Sequence, residues 1–512
     1  MVCLRRYLEI SLVFSISLLI RLLIFFPGHI PTGDVAQYAT FVREISLNGG
    51  GIPSTNTLYM PGSDYIYPPL LFLGAYYIGD FAGLFGPLGP DFYINTLFIM
   101  AAVFSALCSA YIYHKVRRDG ESTRNFISAF IVSAFSIDLY TLTWGGYPYI
   151  FAQFLLVLLL FQLDGRGSNS KRWIIISSVL AVLIAFSHDL TYFLMIWLLI
   201  VITAYDLYRR KFQVVYRMMI IIAAGLIAGI IWWLPRVSFV ISALFLTQGS
   251  AIGPIVPINN IFPIILAEVP FSIPLVFIAI FVARAFFRKE LAIKADPFTL
   301  SFVACFIGLV FLPFDETVVA RIALYAIFLI MIVLLRAMYQ FDFTGSAVSS
   351  RVGRGLRKKW KIVSVLIVLL FLLLPVQYLN EQQSIHYYSS GSFQYDPGLV
   401  HWAETHMAGK VVVAPSIGEY ISAVSGAKVI IYSGYFVGTV EMELRNAGAG
   451  IILMSGSNSS LTNVTDYQVS FIIVPNYMVN TTVDGKYYVS FSPAYYEFVE
   501  RFSYYTVYQT KV

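Results

Sequence analysis

The chain has 512 residues, of which 58% are hydrophobic and only 12% are charged. Soluble domains usually carry about 25% charged residues, so this composition excludes a water-soluble globular protein and predicts a polytopic membrane protein. The net charge of +6 is unevenly divided. Residues 1–380 carry 28 Lys and Arg against 18 Asp and Glu, whereas residues 381–512 carry 6 against 10. The two parts are therefore expected to face different surroundings.

Apolar runs of spanning length predict about eleven membrane helices within residues 1–380. These runs lie at residues 8–26, 91–113, 125–143, 148–163, 173–187, 190–206, 216–234, 262–287, 298–314, 318–340 and 361–380. The apolar segment 67–86 is interpreted as an interfacial or re-entrant helix, because counting it as a span would place the later basic loops outside. The predicted fold class is an α-helical polytopic membrane module followed by a smaller domain.

Basic residues collect in alternate loops, such as 115–124 and 351–361, and the positive-inside rule assigns these loops to the cytoplasm. The opposite loops contain few cations, and the first of them, 27–90, is the longest. We therefore expect a plasma-membrane protein with a cytoplasmic N-terminus and an extracytoplasmic C-terminal domain at 381–512. Three Asn-X-Ser/Thr sequons, at Asn458, Asn463 and Asn480, fit that side.

Short β-branched runs alternate with helix-like stretches in the C-terminal region and predict a small α/β domain. The predicted strands are Val411–Ala414, Lys428–Tyr432, Ile451–Met454 and Val469–Pro475, and the predicted helices are 398–408, 416–425 and 439–447. The last segment, Phe502–Val512, alternates weakly and is expected to add an edge strand.

Ionisable and aromatic groups at the outer side of the predicted spans are the candidate site residues, since charges in or beside lipid usually have a partner or a function. Arg21 interrupts the first span, and it either reaches the outer head groups or has a functional role. Asp34 and Tyr38 lie near the start of the first outer loop, where Asp34 is either an ordinary loop acid or a site residue. Tyr67 precedes two prolines that fix an extended approach to the apolar helix.

Further candidates come from the shorter outer loops. His188 and Asp189 lie at the mouth of a helical hairpin, where polar residues are also common for structural reasons. Arg321 could hold a phosphate through bidentate hydrogen bonds, or it could be neutralised by Asp315 and Glu316.

The hairpin loop that contains Trp144 and Tyr147 is typical of a membrane anchor, although such rings can also support a sugar. Asp138 lies close to this loop, and for it a hydrogen bond between helices is the favoured interpretation.

The order of these features resembles the GT-C superfamily of integral-membrane glycosyltransferases. This superfamily includes protein O-mannosyltransferases, aminoarabinose transferases and the catalytic subunit of oligosaccharyltransferase. The residues that carry the resemblance are Arg21-Leu, Gly33-Asp34, Tyr67-Pro-Pro-Leu, Gly86, Asn95, Lys115-Val-Arg-Arg, Arg321 and Trp402.

The resemblance implies inverting, hexosyltransferase-like transfer of a sugar from a polyprenyl- or dolichyl-phosphate donor to a glycan, lipid or protein acceptor at the outer membrane face. It implies that Asp34 is the general base, and that Arg321, and with less support Arg236 and Arg21, hold the donor phosphate. The implied substrate-binding residues are Tyr38, Tyr67, Trp144, Tyr147, His188, Asp189, Asp315 and Glu316.

The chain also departs from the oligosaccharyltransferase branch. Segment Ala414–Tyr420 lacks the WWDYG-type signature, the loop after Trp144 lacks a paired acid, and Val35 follows Asp34 where several branches carry a second acid. We therefore predict no metal ligand and no cofactor, although Asp138, His188 and Asp189 leave a divalent ion open. A nucleic-acid partner is not expected. The alternative function is a non-catalytic GT-C-like scaffold or a transporter for cell-surface polymer assembly, and a transporter would need polar groups along a path at mid-membrane.

Overall fold

The computed structural model describes most of the membrane module and parts of the C-terminal domain. The described residues are 2–23, 34–62, 65, 67–89, 91–133, 138, 141–142, 145–166, 171–236, 295–311, 316–339, 396–415, 417–431, 467–476, 491 and 493–511.

Helices dominate the described part of residues 1–380. They are α1 (Val2–Leu23), α2 (Val35–Leu47), α3 (Leu70–Gly83), α4 (Phe92–Val116), α5 (Ser122–Ser133), α6 (Tyr147–Asp164), α7 (Lys171–Ala185), α8 (Asp189–Tyr208), α9 (Phe212–Trp233), α10 (Pro297–Phe311) and α11 (Glu316–Met338). Most coincide with predicted spans, and α3 coincides with the predicted interfacial segment. The predicted spans 262–287 and 361–380 lie outside the described residues.

Four helices of the described chain are long and apolar enough to cross a membrane, namely α4, α6, α8 and α9 with its short extension to Arg236. Sequence explains their boundaries. Helix α6 has a proline in its first turn, where the missing N–H costs nothing. Helix α8 is capped by His188, whose Nδ1 accepts the backbone N–H of Thr191. The total of eleven spans stays a prediction.

Side-chain contacts define the two ends of the helix bundle. At one end, the Tyr149 ring of α6 packs against the Tyr325 ring of α11, and the Tyr325 hydroxyl hydrogen-bonds Thr191 of α8. At the opposite end, Arg336 of α11 forms an ion pair with Asp164 of α6 at 2.7 Å. Helices α6 and α11 therefore run in the same direction, and their first turns share the end that carries the candidate site.

The C-terminal region contains helices α12 (Pro397–His406) and α13 (Ile417–Ser425) beside a five-stranded sheet. Its strands are β1 (Val411–Ala414), β2 (Lys428–Ile431), β3 (Val469–Pro475), β4 (Tyr496–Arg501) and β5 (Tyr505–Thr510). Their order is β2-β1-β3-β5-β4, in which β2, β1 and β3 are parallel and β5 and β4 are antiparallel to their neighbours. The predicted strand 451–454 and helix 439–447 lie outside the described residues.

The edge-strand prediction for Phe502–Val512 is wrong. Strand β5 lies inside the sheet, because it pairs with β3 on one side and with β4 on the other. Among the described strands β4 forms the edge, and most of its side chains are exposed. Its charged residues Glu497, Glu500 and Arg501 suit that position, since charges on an edge strand discourage pairing with another chain.

The segment between α1 and α4 packs directly against the C-terminal region. Tyr59 forms a parallel β-bridge with Val429 of β2, in which the Met60 N–H donates to Val429 O and the Val429 N–H donates to Leu58 O. Arg43 of α2 donates to the last carbonyls of α13, at Ala423 and Val424, where a cation also complements the helix dipole. The segment that contains α2 and the C-terminal region therefore pack together.

Candidate active site

Asp34 lies at the start of α2, immediately before the first helical residue. Its half-buried carboxylate accepts a hydrogen bond from the Tyr38 hydroxyl at 3.1 Å, one helical turn later. Burial raises the pKa of Asp34, whereas the positive charge of Arg321 and the Tyr38 hydrogen bond act in the opposite direction. A carboxylate of raised pKa that a cation still favours in its ionised form is suited to accept a proton.

Aromatic rings form the surroundings of this carboxylate. The Tyr38 ring lies 5.3 Å from the Tyr67 ring in an edge-on arrangement and 5.5 Å from the Phe72 ring. Phe41, on the same helix, packs against Tyr67 and Phe72 as well. Packing of this kind fixes the orientation of α2, and with it the position of Asp34.

Arg321, on α11, faces the acids of two other segments. It interacts electrostatically with Asp34 at the start of α2 and with Asp189 at the start of α8. Tyr38 and Tyr67 belong to the same electrostatic environment. The structure thus brings together candidates that are separated by nearly three hundred positions in the sequence.

His188 is buried beside this group and acts as a neutral side chain. Burial lowers its pKa to about 4. Its Nδ1 accepts the Thr191 N–H, so the neutral imidazole carries its proton on Nε2. His188 is therefore a hydrogen-bond donor at neutral pH and does not supply the positive charge that a phosphate requires.

The loop before α6 packs closely against Asp34 and Val35 at the start of α2. Gly145 has a φ of +90°, and a Cβ at this position would lie 2.6 Å from Val35 Cγ2 and 3.4 Å from the Asp34 nitrogen. Glycine is needed here both for the backbone conformation and for the close approach. Tyr147 is fully buried against Phe98, so its ring lies beneath the surface rather than on it.

Glu419 is a site residue that sequence reasoning missed. It lies in the first turn of α13, and the Thr40 hydroxyl of α2 contacts its backbone carbonyl at 3.5 Å. Burial raises the pKa of Glu419 well above its usual value, and the nearby Asp34 carboxylate raises it further. The sequence contained one weak signal, an acid in the first turn of a short amphipathic helix, but nothing in it linked that helix to Asp34.

Arg236 lies at the end of a short 3-10 turn that follows α9. Its guanidinium stacks on the Trp232 ring at 3.8 Å and donates to the backbone oxygens of Tyr65 and Trp232 at 2.9 and 2.7 Å. Arg236 therefore links the segment around Tyr65 to the end of α9, and it remains partly exposed.

Arg21 has a different environment. Its side chain is fully buried, and its nitrogens donate to Ser17, Ser105, Ser109, Ser133 O and Asp138. Since a guanidinium has five N–H donors and these contacts use them, we do not retain Arg21 for the donor phosphate. Asp138 also accepts from Ser105 of α4 and Gln153 of α6, as expected for a hydrogen bond between helices.

Three candidates cannot be placed. Trp144 and Asp315 lie outside the described residues, and so does the side chain of Glu316. Within the described chain, no group of three or more His, Cys, Asp or Glu side chains is arranged to hold a metal ion.

No protein-family model matches the chain, and no curated protein sequence matches it. Solved structures do. ArnT from Cupriavidus metallidurans bound to undecaprenyl phosphate superposes with a TM-score of 0.63 at 11% identity, covering 98% of this chain and 97% of that one. The archaeal oligosaccharyltransferase AglB from Archaeoglobus fulgidus, in complex with an inhibitory peptide and a dolichol-phosphate, gives 0.55 at 12% identity, covering 93% and 70%. The chain has the GT-C fold.

Both matched proteins are GT-C glycosyltransferases, and the resemblance seen in the sequence is confirmed at the level of the fold. At this identity the likeness carries no residue roles. Roles for Asp34, Arg321 and Glu419 must be argued from their surroundings in this chain.

Proposed function

We propose that the chain is a glycosyltransferase that moves a sugar from a polyprenyl-phosphate donor to an acceptor at the outer face of the membrane. The observation that carries the proposal is the electrostatic interaction of Asp34 with Arg321 at one end of a GT-C bundle, where α2 also contacts α13 of the C-terminal region. An acceptor needs a base, and a departing lipid phosphate needs a cation. This site offers one of each.

In the proposed reaction, Asp34 accepts the proton of an acceptor hydroxyl or amide as that atom bonds to the anomeric carbon of the sugar. The bond between the anomeric carbon and the phosphate oxygen breaks, and the electron pair leaves with the polyprenyl phosphate. Arg321 offsets the charge that develops on this leaving group. Attack from the face opposite the phosphate inverts the anomeric configuration.

The neighbouring residues have supporting roles in this proposal. The Tyr38 hydroxyl holds Asp34 in place. Neutral His188, Asp189 and Tyr67 are the proposed ligands for substrate hydroxyls, and Arg236 is a second candidate for the donor phosphate. Glu419, whose pKa is raised well above its usual value by burial and by the nearby Asp34 carboxylate, is a further candidate substrate contact from the C-terminal domain. The proposed transfer uses no metal ion and no cofactor.

Within the described residues, the charged pair inside the bundle, Arg21 and Asp138, is 0% and 3% exposed, which gives no support to the alternative of a transporter. A non-catalytic scaffold with the same fold is distinguished from an enzyme by the following experiment.

The full chain, purified in detergent, is incubated with a panel of radiolabelled polyprenyl-phosphate sugars, and sugar release or transfer is measured. We expect the wild type to consume one donor and Asp34→Asn to lose about 10²- to 10⁴-fold in rate, the usual contribution of a general base. Asp80→Asn is the matched control, because Asp80 is an exposed acid on α3 of the same outer loop. If the wild type binds polyprenyl phosphate but consumes no donor, the scaffold interpretation replaces this proposal.

A further inference from the structure

A polar cavity lies at the end of the bundle opposite the candidate active site. Its volume is about 350 Å³, within the usual range for small-ligand sites. The charged residues that line it are Lys115, Arg117, Arg118, Asp164, Asp296 and Arg336. They come from the end of α4, the end of α6, the start of α10 and the end of α11. The lining therefore holds four cations and two acids.

Both acids form ion pairs with the same cation, Arg336. Arg336 contacts Asp164 at 2.7 Å and Asp296 at 3.0 Å, so this corner of the cavity is close to neutral or slightly acidic. Arg117 is paired with Glu9 at 3.3 Å and with Asp119 at 2.8 Å, both of which lie outside the cavity lining.

Lys115 and Arg118 are the cations left without an acid in the described chain. Lys115 is exposed and lies 5.3 Å from the centre of the Tyr111 ring. Arg118 is exposed and donates to the backbone oxygen of Tyr339 at 3.0 Å, which leaves its positive charge uncompensated. Two such cations beside one cavity repel each other and favour an anion between them.

Arg117 adds an independent observation. Its side chain is only 6% exposed, and its Nε has no hydrogen-bond partner among the residues that the structure describes. A buried donor without an acceptor costs free energy, so a ligand oxygen at this position would relieve that cost.

We propose that this cavity binds a phosphate group through Lys115, Arg117 and Arg118. The phosphate belongs either to the head group of an anionic lipid or to a free phosphate ion. The location favours the lipid, since basic pockets between helices at a cytoplasmic surface bind lipid head groups, and positive-inside topology places this end there. The site is separate from the proposed reaction and does not depend on it.

The test uses the full chain in detergent and measures binding of three probes. Dioctanoyl phosphatidylglycerol represents the lipid, inorganic phosphate represents the free ion, and dioctanoylglycerol has the acyl chains without the phosphate. The double variant Lys115→Gln/Arg118→Gln is expected to weaken binding of the phosphate-bearing probe about tenfold or more, because two charge-assisted contacts are lost. The double variant Lys171→Gln/Arg172→Gln removes two exposed cations at the start of α7 and serves as the matched control.

Each outcome decides between alternatives. Selective loss of phosphatidylglycerol binding supports a lipid site, and selective loss of phosphate binding alone supports a site for the free ion. Equal weakening by both double variants would indicate a non-specific basic surface and overturn the proposal. Absence of binding by the wild type, or equally tight binding of dioctanoylglycerol, would also overturn it. Lys115→Gln alone covers the case in which the double variant fails to fold, and it is expected to weaken binding about threefold.

Discussion

Two acid–arginine pairs occupy contrasting positions in this protein. Arg21 and Asp138 lie inside the bundle, where serine side chains, a backbone carbonyl and Gln153 satisfy both partners. Asp34 and Arg321 lie at the end of the bundle beneath the C-terminal domain, and both remain half-buried rather than sealed. A carboxylate and a guanidinium thus lie near each other twice, once fully buried and once partly exposed.

This difference gives a criterion for distinguishing structural from functional charged residues in a membrane protein. A buried guanidinium whose donors are all used cannot bind a substrate without giving up those contacts, which would cost several kcal/mol. A partly exposed pair with a raised carboxylate pKa can exchange its contacts with a substrate at lower cost. Both arginines were candidates for the donor phosphate from the sequence, Arg21 with less support than Arg321, and their contacts in the structure distinguish them.

The largest expected effect on stability is at the buried pair of Arg21 and Asp138. Asp138→Leu leaves the Arg21 charge buried without its partner, which should destabilise the protein by about 3–5 kcal/mol. Thermal unfolding of the purified chain in detergent measures this, and the double variant Arg21→Met/Asp138→Leu should be less destabilised than the single one. Loss of transferase activity with unchanged stability would instead make this pair functional and remove the contrast.

Arg321→Gln tests the partly exposed combination of Asp34 and Arg321. Loss of its charge should lower the transfer rate about 10²- to 10³-fold, as for other groups that stabilise developing charge, with little change in thermal stability. Arg321→Lys keeps the charge but loses the bidentate geometry, and it should recover part of the rate. If Arg321→Gln unfolds the protein as readily as Asp138→Leu does, both pairs are structural.

Glu44 provides a pH-dependent test of how α2 holds residues 57–59. Its buried carboxylate accepts the N–H groups of Thr57, Leu58 and Tyr59, and burial raises its pKa to about 7. A carboxyl whose pKa is higher in the folded state contributes stability that is fully present below its unfolded pKa, near 4.5, and is lost as the pH rises through 7.

The stability lost over this range is of the order of 3 kcal/mol. Unfolding measured between pH 4.5 and 8 should therefore show a decline that Glu44→Gln removes, because glutamine does not titrate. An unchanged decline in the variant would assign the pH dependence to other groups.

The smallest expected effect is at Gly145. Gly145→Ala adds a Cβ against Val35 and places a side chain at positive φ, which costs about 1–2 kcal/mol. Because the added atom also presses on the Asp34 backbone, the transfer rate should fall more than the stability does. Gly120→Ala, at a similar φ of +85° with open space around it, is the matched control. Equal losses of rate in both variants would contradict support of Asp34 by this loop.

Much of the fold could be predicted because its signals are local. The helices follow from apolar runs, and strands β1 and β3 were predicted with the boundaries that the structure has. The edge-strand error has an equally physical origin. The position of a strand in a sheet depends on which other strands pair with it. The weak alternation of residues 502–512 carries no information about those partners.

The candidate site was predictable in part. Asp34 and Arg321 drew attention because a charge beside lipid is costly, and that cost can be judged from one segment at a time. Glu419 and Gly145 gave no comparable signal, since their importance comes from contacts with α2 that are made only after folding. Likewise, nothing near Arg21 in the sequence indicates that four serines and an aspartate from other turns and helices will surround it.

The sequence by itself determined that this chain lies in a membrane, where its helices form, and that its residues resemble those of GT-C enzymes. Composition and hydrophobic periodicity suffice for this, because lipid requires long apolar helices whatever their neighbours are. Only the tertiary structure decided that Arg21 is fully buried, with its hydrogen-bond donors used, and that Arg321 remains partly exposed. It also brought Glu419 of the C-terminal domain to Asp34, because contacts between distant segments depend on packing in three dimensions and not on any local pattern.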